Sequence, residues 1–113
     1  MKYDLEERCA VFAEKVIGLC KRAPKNTIVT PIISQLVRSG TSIGANYMEA
    51  NGASSKRDFN NKACICRKEC RETKYWLRIL AKTEEGLTTE CRELWAEAHE
   101  LTLIFSKIVE KSK

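Results

Sequence analysis

Glycine and proline are scarce in this sequence of 113 residues, at five and two. A chain so poor in them is neither fibrous nor disordered, and its 43% hydrophobic and 31% charged residues describe a helical globular protein. There is no run of alternating apolar and polar residues, no low-complexity tract and no repeat, which argues against a β fold. No apolar segment approaches the roughly 20 residues needed to cross a bilayer. Residues 1–8 lack the uninterrupted apolar core of a signal peptide, so the expected location is the cytoplasm, with no membrane partner. Histidine is limited to His99. A metal centre would fall to Cys64, Cys66 and Cys70, but helix positions two apart point in different directions and cannot hold one ion. No metal site and no cofactor is expected.

Cysteine is plentiful, at six. Each lies within an expected helix, several where a small hydrophobe suits a core, so reduced thiols are expected in place of a disulfide framework. The length fits a single domain over residues 1–113.

Four amphipathic segments carry the pattern. Asp4 with Glu7 caps a first helix from Leu5 to about Arg22, whose apolar series Leu5, Cys9, Phe12, Val16, Leu19 steps by four and three. Pro24 ends it. Thr30 and Pro31 open a second helix over residues 31–50, with Ile33, Leu36, Val37, Gly40, Ile43, Gly44 and Tyr47 inward. Asn51-Gly52 closes that helix, both residue types accepting a left-handed conformation. Ser55 with Asp58 starts a third helix over residues 55–84. Gly86 stops it, and Thr88 or Thr89 caps a fourth over residues 90–110. Short links between four such helices predict an all-α, antiparallel up-down-up-down four-helix bundle.

The third helix carries three stripes. Phe59, Ala63, Cys66, Cys70, Thr73, Leu77 and Leu80 form a core seam. One residue on lies a cationic stripe, Arg57, Arg67, Arg71, Lys74 and Arg78, extending about 30 Å at the helical rise. One residue back lies a mixed stripe, Lys62, Ile65, Glu69, Glu72, Trp76 and Ile79, the composition of a contact between subunits. Residues 51–82 hold nine cations and three acids, a net +6, whereas residues 83–113 hold four and seven, a net −3. The cationic stripe either follows a phosphate backbone, giving salt-sensitive binding of RNA or DNA, or is neutralised by Glu90, Glu93, Glu97 and Glu100 of the fourth helix.

Residues 38–47 place Gly40 and Gly44 on one face of a helix, where each glycine costs about 1 kcal/mol. Close packing against another backbone offsets that cost; a functional reading adds Ser39, Ser42 and Asn46 as donors to a phosphate or a neighbouring subunit. Trp76 and Trp95 flank the seams, as tryptophans at protein contacts do. Asp58, Glu69, Glu72 and His99 are the candidates for acid–base chemistry, yet Lys62, Lys68 and Arg71 lie within pairing distance of the two glutamates along the helix, so an ion network is expected and catalytic residues are not.

The string Arg38-Ser39-Gly40-Thr41-Ser42-Ile43-Gly44-Ala45-Asn46-Tyr47, with Glu49-Ala50, Ser55-Lys56-Arg57-Asp58-Phe59, Lys62, Lys68-Glu69 and Glu72-Thr73-Lys74-Tyr75-Trp76-Leu77, resembles a family of small bacterial proteins. These were first noticed as reading frames in intervening sequences of 23S ribosomal RNA genes. The opening Asp4-Leu5-Glu6-Glu7-Arg8 with Phe12 and Val16-Ile17 is similar too, so the resemblance covers nearly the whole chain. It implies a four-helix bundle commonly assembled as a homopentamer. A related branch, the accessory variability proteins of diversity-generating retroelements, implies basic barrels that bind nucleic acid and a reverse transcriptase. Cys64, Cys66 and Cys70 depart from the family pattern, standing where small aliphatic residues are usual.

Two functions compete on this footing. One is a non-catalytic, pentameric accessory protein that binds RNA or DNA weakly through its basic stripe. The other is a protein-binding adaptor whose stripe is satisfied by acids of the fourth helix.

Overall fold

Four helices account for most of the chain: α1 (Leu5–Arg22), α2 (Val29–Asn51), α3 (Lys56–Thr83) and α4 (Thr88–Lys111). The computed structural model describes residues 4–111, so the first three residues of the stretch read for a signal peptide lie outside it. A 3-10 turn, Glu85–Leu87, joins α3 to α4, and the other links are short. Successive helices therefore run antiparallel in an up-down-up-down four-helix bundle of 44 × 29 × 19 Å. α3 packs along its length against both α2 and α4, while α1 rests mainly on α2 and touches α4 more lightly.

The helix starts follow side-chain oxygens. Asp4 accepts the amide proton of Glu7 at 3.1 Å and Ser55 that of Asp58 at 3.0 Å, as expected of both caps. α2 starts two residues earlier than the sequence suggested. Asn26 Oδ1 takes the amide protons of Ile28 (3.0 Å) and Val29 (2.8 Å), and its carbonyl takes that of Thr30 (3.0 Å). Asn26, and not Thr30, satisfies these first donors, and Pro31 falls inside the first turn, where an amide proton still has no helical acceptor. Gly52 closes α2 at φ −95° and ψ 7°, and no described residue has a positive φ, so the expected left-handed stop is absent. Thr88 opens α4 and turns its hydroxyl back onto the carbonyl of Ala81 at 2.8 Å, tying the two helices together.

One core joins all four helices. Phe12, Val16, Leu19, Leu36, Ile43, Leu77, Leu80, Leu101 and Phe105 are almost wholly buried. Each such side chain contributes about 1.5–3 kcal/mol, so the seam outweighs any single polar contact on the surface. Of the seam expected on α3, Phe59 stays half-buried and the rest are buried. On α2 the inward face is rotated from expectation: Val29, Ile32, Leu36, Ser39, Gly40, Ile43 and Ala50 are buried, while Ile33, Val37, Gly44 and Tyr47 sit at its margin. Tyr47 meets Phe105 edge to face, with centroids 5.5 Å apart.

The paired glycines serve packing. A methyl added at Gly40 would stand 3.1 Å from a methyl of Val16, and one at Gly44 would stand 3.2 Å from the β-carbon of Cys9. The functional reading of the same segment loses support, because the hydroxyls of Ser39 and Ser42 and one of the two side-chain amide protons of Asn46 are engaged within the chain. Ser39 is fully buried with its hydroxyl 3.0 Å from that of Thr73, Ser42 donates to the carbonyl of Arg38 (2.6 Å), and Asn46 donates to that of Ser42 (2.8 Å).

All six thiols are free. Burial pushes Cys9 and Cys66 up to about 12, each with smaller contributions from neighbouring charges, and Cys20 and Cys91 up to about 11. Cys66 lies 3.5 Å from the carbonyl oxygen of Ile43, and Cys64 is half-exposed.

The glycine contacts set opposite expectations at two sites. Gly18→Ala adds a methyl that meets only the end of the Arg22 side chain at 3.8 Å, and should raise stability by about 0.5–1 kcal/mol. Gly40→Leu must displace Val16 and should cost about 1–3 kcal/mol or more. Denaturant unfolding of both variants checks this, and equal midpoints would contradict it.

Candidate nucleic-acid interface

Because the seam of α3 points into the core, the two flanking stripes face the neighbouring helices, one on each side. The mixed stripe faces α2. Lys62 donates to Glu49 at 2.8 Å, and the Arg38 guanidinium holds Glu69 at 3.2 and 3.3 Å while also pairing with Glu72. The Trp76 indole donates to Glu72 at 3.3 Å. Lys62, Glu69, Glu72 and Trp76, expected at a subunit interface, are thus engaged within the chain, while Ile65 and Ile79 are half-buried beside them.

The partner of the glutamates also differs from expectation: it is Arg38 of α2, and not Lys62, Lys68 or Arg71 of their own helix. Glu69 is only 7% exposed, and the planar guanidinium occupies the position a metal ion would need between the carboxylates. Burial would raise the Glu72 carboxyl, but the hydrogen bonds from Arg38 and Trp76 outweigh it and hold the group below its ordinary value.

The cationic stripe turns the other way. Arg57, Arg71 and Arg78 are exposed, and Arg67 and Lys74 are half-buried. Among the described residues, none of the five forms an ion pair. Of the four α4 acids that were to neutralise them, Glu90, Glu93 and Glu97 lie toward α1, and Glu100 lies beside Leu103, Ile104 and Lys107 of its own helix. Glu97 takes Arg8 in a two-pronged contact of 2.7 Å on each side, and Glu90 takes Arg22. Glu93 lines the α1–α4 groove together with Lys15 and Arg22.

Lys74 alone of the stripe reaches across to α4. Its ammonium lies 3.1 Å from His99 Nδ1 and 4.9 Å from the centroid of the Trp95 ring, and Trp95 stacks on His99 at 5.3 Å and 11°. An ammonium can only donate, so Nδ1 is the accepting nitrogen in this contact. Beside this group, α3 and α4 enclose a groove of about 690 Å³, with Leu77 and Cys91 in its lining and Arg78, Lys82, Arg92 and Trp95 around it. Among the described residues, no carboxylate lines it.

Lys82, Arg92 and the Trp95–His99 pair were missed in the sequence. The signal was present: Lys82 follows Arg78 by four, and Arg92, Trp95 and His99 step by three and four along one face of α4.

A bundle of four antiparallel helices, with one flank of cations that form no ion pair among the described residues, defines a small all-α protein. Residues 1–107 match the profile of the 23S rRNA-intervening sequence protein family, and the chain belongs to that family. Among solved structures it is similar to a protein of unknown function from the S23 ribosomal protein family of Bacteroides thetaiotaomicron VPI-5482. The two share 33% sequence identity and a TM-score of 0.84, over 94% of this chain and 98% of that one. No curated protein matches the chain significantly.

The Arg38 fork yields a prediction with a defined sign. A carboxyl held low in the folded state contributes stability that is whole above the ordinary carboxylate range and is lost as pH falls through its folded value. Arg38→Gln should therefore lower stability by about 1–3 kcal/mol at pH 7, where it strands the buried Glu69. The gap to the parent should narrow below about pH 4. Unfolding curves taken from pH 7 to pH 3 read both, and a gap that stays constant with pH would count against the assignment.

Proposed function

We propose that this chain is a non-catalytic, homopentameric accessory protein that binds RNA or DNA through the cationic flank of α3. One observation carries the reading: Arg57, Arg67, Arg71, Lys74 and Arg78 have no carboxylate partner among the described residues, while the nearest acidic helix spends Glu90 and Glu97 on α1. Unpaired cations along about 30 Å of rigid helix match a phosphate backbone in charge and in reach. Pairing of α4 acids with the stripe was the ground for a protein adaptor without nucleic-acid binding, and no such pair is formed among the described residues.

Assembly would gather several weak flanks on one particle, so that contacts too feeble singly become useful together. Exposed apolar side chains support contact between copies: Tyr75 is 55% exposed and stands on α3 near the half-buried Ile79.

A labelled RNA oligonucleotide should bind at low salt, with affinity falling steeply as salt rises. The double variant Arg71→Gln with Arg78→Gln should reduce the slope of log K against log salt by about 1.4–1.8, the share of two phosphate contacts. Light scattering should give five subunits. Absent binding at low salt, or binding indifferent to salt, would end the nucleic-acid reading.

A further inference from the structure

Beyond the stripe itself, the groove between α3 and α4 has features that a phosphate contact does not need. Its lining combines three cations, Arg78, Lys82 and Arg92, with an indole, and includes no acid among the described residues. Trp95 is 37% exposed, a large apolar ring left open on the surface of the chain. His99, stacked at 11°, supports that ring and Lys74 lies over it, which limits the positions the indole can take. Double-stranded nucleic acid presents phosphates outward and keeps its base faces stacked, so it has no use for such a ring. A single strand offers both phosphates and free base faces.

We propose that the α3–α4 groove is a stacking site for single-stranded nucleic acid, in which one unpaired base lies against Trp95 while Arg78, Lys82 and Arg92 take the flanking phosphates. The proposal rests on the nucleic-acid reading above and narrows it to strands with unpaired bases. The cations fix charge and reach, and the indole supplies the preference for single strands. Stacking on an aromatic face tolerates any base, so no strong sequence preference accompanies it. Arg92 and Lys82 extend the cationic surface beyond the five residues of the α3 stripe and onto α4.

The test uses the full chain with Trp76→Phe, which leaves Trp95 as the single tryptophan reporter. Oligo-U, oligo-dT and an RNA duplex of equal length are titrated at low salt. Either single strand should quench Trp95 emission to saturation, the affinity ratio between them assigning the preferred sugar, whereas the duplex should bind without quenching. Against the Trp76-containing chain, Trp95→Leu should weaken single-strand binding about tenfold and Trp95→Phe by no more than about threefold, both leaving duplex binding within about twofold. Retention of binding by the phenylalanine variant separates stacking from a loss of fold.

Salt-dependent binding of single strands with no quenching, and with Trp95→Leu equal to the parent, would overturn the stacking site and leave the stripe standing. Failure of every oligonucleotide to bind would overturn both. Quenching on raising protein concentration alone would assign the groove to contacts between copies of the chain and overturn the proposal.

Discussion

Arg8 and Arg22 of α1 hold the carboxylates of Glu97 and Glu90, and the character of the rest of the surface depends on that choice of partner. Each pair is partly exposed and worth no more than about 1 kcal/mol, far too little to hold the bundle together. Their effect is one of allocation. α4 lies between α1 and α3, and its acids can satisfy one neighbour or the other. With Glu90 and Glu97 serving α1, the cations on the flank of α3 have no carboxylate partner among the described residues, and no described carboxylate lines the α3–α4 groove. The core seam determines that the helices pack; the ion pairs determine which groove is neutral and which is positive.

The opposite flank of α3 shows the converse arrangement. Glu69 is buried, and a buried carboxylate is tolerated only with strong donors close by. The Arg38 fork supplies them from α2, and the same guanidinium extends to Glu72, which in turn receives the Trp76 indole proton. α2 is also drawn close to α1 where Gly40 faces Val16 and Gly44 faces Cys9. A guanidinium on one side and bare backbone on the other thus position α2 between its neighbours.

The fold was readable because each helix repeats its apolar residues by threes and fours over four or more turns, a signal that few local preferences can overturn. The ends of α1 and α3 followed from Asp4 and Ser55 for the same local reason. Errors arose where a decision needed knowledge of what lies across space. Thr30-Pro31 is a good start signal, but Asn26 reaches forward to the same amides first, and nothing in the pattern ranks the two. Ser39 reads as a surface donor until Thr73 of α3 is seen opposite it. The mixed stripe reads as a contact between subunits because a sequence does not distinguish a neighbouring helix of the same chain from one of another copy. The cationic stripe was legible as a stripe, but its lack of partners depended on the rotation of α4 about its axis. Trp95 and His99 went unread as a pair because a single aromatic four residues before a histidine is common on helices and becomes informative only when Lys74 arrives from α3.

The sorting of charge across α4 also gives the molecule a direction. With charges of both signs in the α1–α4 groove and, among the described residues, only positive ones in the α3–α4 groove, the field around the bundle points sideways, perpendicular to the helix axes. A long-range torque follows from such a transverse moment: near any highly negative body the bundle would swing its α3 side forward before the two surfaces touch. Fewer collisions would then be wasted on the wrong face, a kinetic benefit that needs no additional contact once the partners have met.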